Sequence, residues 1–147
     1  MAITSGILKT FKAEVMLGEH DLNTNTIKIG LVSSGASCSP ANGPFTYTSL
    51  ASAGGELANG NGYTTGGTTL SAVTVTNAST SGVVDFDNVT LTDSTFTCRG
   101  AFIYNDSHSS KAMIAYYDFG ADKSASAGNF VMTVPSATSA AAIIRLN

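Results

Sequence analysis

The chain has few charged residues and no tryptophan. Only 12% of its 147 residues are charged, against roughly 25% in an ordinary soluble domain. The seven basic residues are scattered singly along the sequence, and the formal net charge is −3. A nucleic-acid surface needs a basic stripe that neutralises several phosphates. The sequence therefore predicts no nucleic-acid partner.

Long apolar runs and a basic amino-terminal signal are also missing. The run from Ala140 to Ile144 is far shorter than the roughly 20 residues of a membrane-spanning helix. The first six residues contain no positive charge followed by an apolar block, so the sequence shows no secretion signal. We expect no membrane partner and synthesis in the cytosol.

Cysteine and histidine are scarce, which limits the chemistry that the chain can perform. Cys38 and Cys98 are the only thiols. A disulfide between them is one alternative, but two free cysteines are the expectation for a cytosolic product. His20 and His108 stand apart in sequence, and we expect solvated loop histidines rather than metal ligands or catalytic bases. We therefore predict no enzyme, no catalytic residue and no metal or other cofactor.

The acidic residues offer one alternative, a calcium site. Asp85 and Asp87 project from the same face of a predicted strand, where Asp106, Asp118 and Asp122 could approach them. Calcium loops normally place their carboxylates on a tight turn, however, and this pair lies on an apolar strand. Hydrogen bonding at the strand end is the expected role.

Residues Thr95 to Phe119 form the most informative stretch. Apolar residues alternate with other residues on either side of the polar loop Asn105 to Ser110, with the period of two that a β-strand imposes. The pattern predicts a long β-hairpin. Further short strands are predicted by the alternation or the apolar content of the segments Ile27 to Leu31, Thr68 to Thr76, Gly82 to Asp87, Val89 to Leu91, Asn129 to Val134 and Ala141 to Leu146.

One amphipathic helix precedes the strands. Ile7, Leu8, Phe11 and Val15 share a face, and Ser5 and Gly18 suit the caps, which predicts a helical segment at about residues 6–17. The stretch Phe45 to Thr48 favours the start of a strand, and the glycine-rich region after it favours strand fragments between sharp turns. The expected fold is a single all-β domain over residues 1–147, an antiparallel, jelly-roll-like β-sandwich with one short N-terminal helix.

Several segments, in the same order and over nearly the whole chain, resemble a family of small tailed-bacteriophage virion proteins. They are Ile7 to Lys12, Gly18 to Asp21, Thr26 to Leu31, Gly60 to Gly67, Ala101 to Asp106 and Asp118 to Gly120. The resemblance implies a structural component, and we take the role to be a capsid cement (decoration) protein. It implies synthesis in the bacterial host cytoplasm, a place on the capsid exterior of the virion, and the major capsid protein as partner. It supplies no catalytic residues.

A homotrimer is the expected assembly, because joining several weak contacts raises avidity. Two segments are candidates for subunit or capsid contacts: the amphipathic start and the apolar end of the chain. The competing explanation is that both segments close the core. The candidate residues are Ile7, Phe11, Val15, Ile143, Ile144 and Leu146.

Two other functions compete with cementing. The first is a phage tail or fibre component that binds a host surface glycan through exposed loop aromatics, with Tyr47, Tyr63 and Tyr104 as the candidates; the absence of tryptophan weakens it. The second is a small hydrolase, which requires convergent acid and base groups that the sequence does not display.

Overall fold

Strands form most of the regular secondary structure in the computed structural model, which describes residues 2–147. In chain order the elements are β1 (Gly6–Ile7), α1 (Lys9–Met16), β2 (Ile27–Val32), α2 (Tyr47–Ser52), β3 (Thr68–Thr69), β4 (Thr74–Ala78), β5 (Ser81–Asp85), β6 (Val89–Asn105), β7 (Met113–Met132) and β8 (Ile144–Leu146). Neither helix is long and apolar enough to cross a membrane.

The strands pair in two antiparallel sheets. The larger sheet has the order β1-β7-β6-β2-β3, and the smaller has the order β4-β5-β8. Buried side chains from both sheets, such as Leu31, Ile103, Val84 and Ile144, belong to one hydrophobic core. The predicted all-β fold with a short N-terminal helix is therefore confirmed, and the two sheets are consistent with a sandwich. The strand order does not establish jelly-roll connectivity, which stays a prediction.

The predicted hairpin is confirmed and is longer than expected. Strands β6 and β7 pair from Val89↔Met132 to Tyr104↔Met113. The predicted strands Val89 to Leu91 and Asn129 to Val134 are therefore, for the most part, the outer ends of this hairpin. Near the turn the hairpin is flanked by β1 and β2 and is buried, whereas β7 beyond Phe119 is mostly exposed.

The N-terminal helix is shorter than the predicted segment. Gly6 and Ile7 are extended and pair with β7, so they are not helical. The Ser5 hydroxyl accepts a hydrogen bond from the Asp118 N–H instead of capping the helix, and the N-cap position is Leu8. At the other end, Gly18 has a φ of 76°, which suits the glycine expected after the last turn.

The predicted strand start at Phe45 to Thr48 is reduced to a single antiparallel bridge between Thr46 and Ala112. The Thr46 side chain accepts a hydrogen bond from the Ser49 N–H and so caps α2, which begins at Tyr47. The glycine-rich region after α2 folds back on β2. At Gly67 a Cβ atom would lie 2.2 Å from the Ile29 carbonyl oxygen, so only glycine permits this approach.

Candidate interaction surfaces

The six predicted contact residues divide into two groups. Phe11 is 1% exposed and Ile144 is 2% exposed, so both belong to the core and cannot contact a partner in this conformation. The prediction is wrong for these two residues, because α1 and β8 turn them inward to fill the space between the sheets. Ile7, Val15, Ile143 and Leu146 are half-buried and remain candidates.

The structure brings the start and the end of the chain together. Ile7 and Ile143 line one groove, between β1 and the segment that precedes β8. Val15 and Leu146 line a second cleft, between α1 and the smaller sheet. The two predicted contact segments are thus neighbours in space, although they lie at opposite ends of the sequence.

The sequence patterns above did not single out the most exposed apolar side chains. Met16 is 82% exposed and Leu17 is 72% exposed, at the end of α1. We call this pair the knob. A signal was available: both residues follow Val15 and fall outside the helical face of Phe11 and Val15, and Gly18 ends the helix directly after them. Both side chains therefore remain outside the core.

A second apolar feature lies on the larger sheet beside β7. It is a groove of about 400 Å³, and its walls are mostly aliphatic and aromatic. Lys123 is its one charged wall residue, and within residues 2–147 no carboxylate lies within ion-pair distance of the Lys123 ammonium group. We call it the β7 groove. Its walls include Ile29, Tyr117, Phe119, Phe130, Val131 and Ile143.

The two histidines are not solvated loop residues. The His20 side chain is fully buried, and its ring stacks on that of His108 with 5.0 Å between centroids. His20 Nε2 lies 2.9 Å from Glu14 Oε2, and His108 Nε2 lies 3.1 Å from Glu19 Oε2. The prediction failed because the segment after α1 folds against the β6–β7 turn, a contact that no local pattern encodes.

The geometry of this cluster does not fit a metal ion, although Glu14, His20 and His108 lie close enough together to suggest one. Asn105 Oδ1 accepts from the Ser107 N–H at 3.0 Å, which orients the Asn105 amide so that its Nδ2 donates to His20 Nδ1 at 3.0 Å. His20 therefore carries its proton on Nε2 and donates it to Glu14. A metal at Nε2 would move that proton to Nδ1, against the Asn105 donor, whereas metal-bound histidines normally face an acceptor there.

The aspartates that could have formed a calcium site are dispersed. Asp85 accepts from the Phe86 N–H at 3.0 Å, and Asp87 accepts from the Ser71 hydroxyl at 3.0 Å. Asp106 pairs with Lys28 and Lys111, and Asp118 pairs with Arg99. Each carboxylate has a local partner, so these four do not assemble the oxygen cage that calcium requires.

The three tyrosines proposed for glycan binding do not form an exposed platform. Tyr63 and Tyr104 are buried, and Tyr47 stacks on Tyr104 with 4.7 Å between ring centroids. The Tyr47 and Tyr63 hydroxyls donate to the Glu56 carboxylate at 2.8 Å and 2.7 Å, and the Tyr104 hydroxyl donates to the Gly66 carbonyl at 2.8 Å. These rings hold the glycine-rich region in place and are not available to stack on a sugar.

The two cysteines are free and buried. Burial raises the pKa of the Cys38 thiol to about 11, partly offset by its hydrogen bond with Tyr116, and burial likewise raises the pKa of the Cys98 thiol to about 11. The expectation of two free thiols is confirmed. Neither thiol is placed to act as a nucleophile, because the reactive form is the thiolate.

No protein-family model, curated protein or solved structure matches this chain. The resemblance to phage virion proteins consequently stays a prediction.

Proposed function

We propose that this protein is a bacteriophage capsid cement protein that binds the outer surface of the head and bridges neighbouring major capsid subunits. The observation that carries the proposal is the presence of two separate apolar surfaces on one folded domain. The knob, Met16 and Leu17, lies at the end of α1, whereas the β7 groove lies on the larger sheet, and no residue of α1 lines it. A protein that bridges two neighbours needs two separate contact surfaces.

The hairpin between these surfaces is suited to bear load. Strand β6 has 17 residues and pairs with β7 along most of its length; register shifts interrupt the ladder, and the pair bends enough to bring the centroids of the Phe119 and Phe130 rings within 6.3 Å. The many ladder hydrogen bonds between the two strands resist deformation of this element. A shell under outward pressure from packed DNA would be reinforced by such an element.

The surface chemistry supports the same proposal. The chain is acidic and poor in charge, so it does not compete for the packaged genome. As a trimer seated where capsomers meet, it would multiply individually weak contacts into a large avidity. No catalytic step is part of this function.

The rival function, glycan binding by a tail or fibre component, loses its proposed binding residues. Tyr63 and Tyr104 are buried, and the hydroxyl of Tyr47 is bound to Glu56. Cementing therefore has the better support.

The test compares DNA-filled particles that carry the protein with particles from which its gene has been deleted. Both are heated while DNA release is followed with a DNA-binding dye. We expect the particles without the protein to release DNA at a lower temperature, and purified protein added back to restore the difference. Equal release temperatures would contradict the proposal.

A further inference from the structure

We propose that copies of this chain associate head to tail, with the knob of one copy seated in the β7 groove of the next. This inference concerns the free protein and does not depend on a capsid. It goes beyond the proposed trimer by naming the two surfaces that meet.

The first argument is the distribution of exposed apolar side chains. Residues 2–147 contain four large apolar side chains that are strongly exposed: Met16, Leu17, Val75 and Val131. Two of them form the knob, and Val131, 52% exposed, is part of the wall of the β7 groove. A contact between the knob and the β7 groove would therefore bury three of these four side chains, and the transfer of their apolar surface out of water is favourable.

The second argument is size and shape. The β7 groove has a mostly apolar wall and a volume of about 400 Å³, which is enough space for the ends of two side chains. Met16 and Leu17 are unbranched at Cβ, adjacent, and held at the end of a helix. Methionine also packs favourably against aromatic rings, and Phe119 and Phe130 are part of the groove wall.

The third argument is charge complementarity. Glu19 follows the knob directly after Gly18, and its side chain is 43% exposed. The Glu19 carboxylate, which lies 3.1 Å from His108 Nε2, places an acidic group beside the knob. The β7 groove is bordered by Lys123, which has no carboxylate partner among the described residues. Seating the knob would bring Glu19 and Lys123 of different copies towards each other.

One chain cannot satisfy both surfaces by itself. The knob lies beside His20 and His108, at the turn end of the hairpin. Lys123 lies ten residues further along β7 than Met113, opposite Cys98, and no residue of α1 lines the β7 groove. A contact between two different surfaces is heterologous, so it closes into a ring when the rotation between copies permits. A rotation of one third of a turn would produce a trimer.

The experiment measures molar mass by size-exclusion chromatography with light scattering over a range of protein concentrations. We expect the unmodified protein to have a mass well above 15.0 kDa that falls on dilution. Met16→Asp combined with Leu17→Asp on one surface, and Val131→Asp on the other, should each weaken association by about tenfold or more. Circular dichroism verifies that each variant is folded. Because all three substituted positions are exposed, we expect the variants to fold.

Two controls make the result specific. Ala51→Asp changes an exposed residue of α2, outside the knob, the β7 groove and the two clefts that hold the predicted contact residues, so its association should match that of the unmodified protein. Lys123→Glu and Glu19→Lys should each weaken association, and the two together should recover part of it. A protein that is monomeric at every concentration, or an Ala51→Asp variant that dissociates as readily as the knob variant, would overturn the inference. An oligomer that fails to stabilise shells would instead contradict only the proposed function.

Discussion

At the scale of single residues, burial decides what the two cysteines can do. Cys38 and Cys98 are almost completely inaccessible, and the pKa of each thiol is raised to about 11, chiefly by burial. The thiolate is the species that attacks disulfides. Because the pKa of each thiol is about 11, the thiolate is scarce at about pH 8 in the folded protein, and it becomes much more abundant once unfolding restores a pKa of about 8.5.

We therefore predict that the native protein does not react with Ellman's reagent at about pH 8, whereas the protein in denaturant releases two equivalents of the chromophore, one for each cysteine. The absorbance of the released thiol anion measures both. Rapid stoichiometric reaction of the native protein would show that the thiols are accessible.

Prediction from sequence was least successful at this scale. The burial of His20 depends on Asn105 and His108, more than 80 residues away, and neither the spacing of the histidines nor their neighbours contains that information. Phe11 shows the opposite case: its place on an amphipathic helix predicted an apolar role, but the pattern could not distinguish a core residue from a contact residue.

At the scale of elements, a buried carboxylate organises the glycine-rich region. Glu56 accepts hydrogen bonds from the Tyr47 hydroxyl, the Tyr63 hydroxyl and the Gly66 N–H. Burial, reinforced by the Glu56 carboxylate, raises the pKa of Tyr47 to about 12, so its hydroxyl remains a donor over the ordinary pH range. This carboxylate therefore ties the start of α2 to the turns before β3.

We predict that Glu56→Ala lowers the free energy of unfolding by about 3 kcal/mol or more, because three donors lose their acceptor. Glu56→Gln is the matched variant. It keeps the shape and one carbonyl acceptor, so its loss should be less than half as large. Urea unfolding measures both, and an alanine variant as stable as the glutamine variant would show that the carboxylate does not organise this region.

The β6–β7 turn depends on an ion cluster. Asp106 lies between Lys28 and Lys111, and the hydrogen bond from Lys111, followed by that from Lys28, holds the pKa of Asp106 below its ordinary value of 3.8. A lowered folded-state pKa means that this stabilisation is complete above the unfolded-state pKa. It is lost as the pH falls through the lower folded-state value.

The resulting prediction concerns Asp106→Asn. The variant should be less stable than the unmodified protein at about pH 7, and the difference should shrink as the pH falls below about 4. Urea unfolding over a pH series measures it. Asp122→Asn, at an exposed position, is the control and should show little difference at any pH. A constant difference for Asp106→Asn down to about pH 2 would contradict the assignment.

Sequence patterns performed better at the element scale. The hairpin was predictable because two apolar-rich runs flank the polar loop Asn105 to Ser110, although the buried part of β6, from Gly100 to Tyr104, is apolar without interruption. The start of α1 was not predictable. Gly6 and Ile7 form β1, which pairs with β7, and this tertiary pairing overrides the local helical pattern. At Thr46, a single side-chain cap decided the outcome in favour of a helix.

At the scale of the whole molecule, the sequence predicted the fold class but not the arrangement of its surfaces. Repeated short apolar strands separated by turns indicate an antiparallel β fold, and two antiparallel sheets are observed. The β7 groove combines residues of β2, β6, β7 and the segment before β8, so it exists only in the folded chain. The knob could have been identified as two adjacent apolar residues that no helical face includes.

The proposed cement function requires that the protein bind to the outside of a capsid. Imaging intact particles by electron cryomicroscopy, with and without the gene, tests it most directly. We predict extra density on the outer surface wherever neighbouring capsomers meet, into which several copies of this fold can be placed and which disappears on deletion. Density confined to the tail, or no difference between the two particles, would contradict the account.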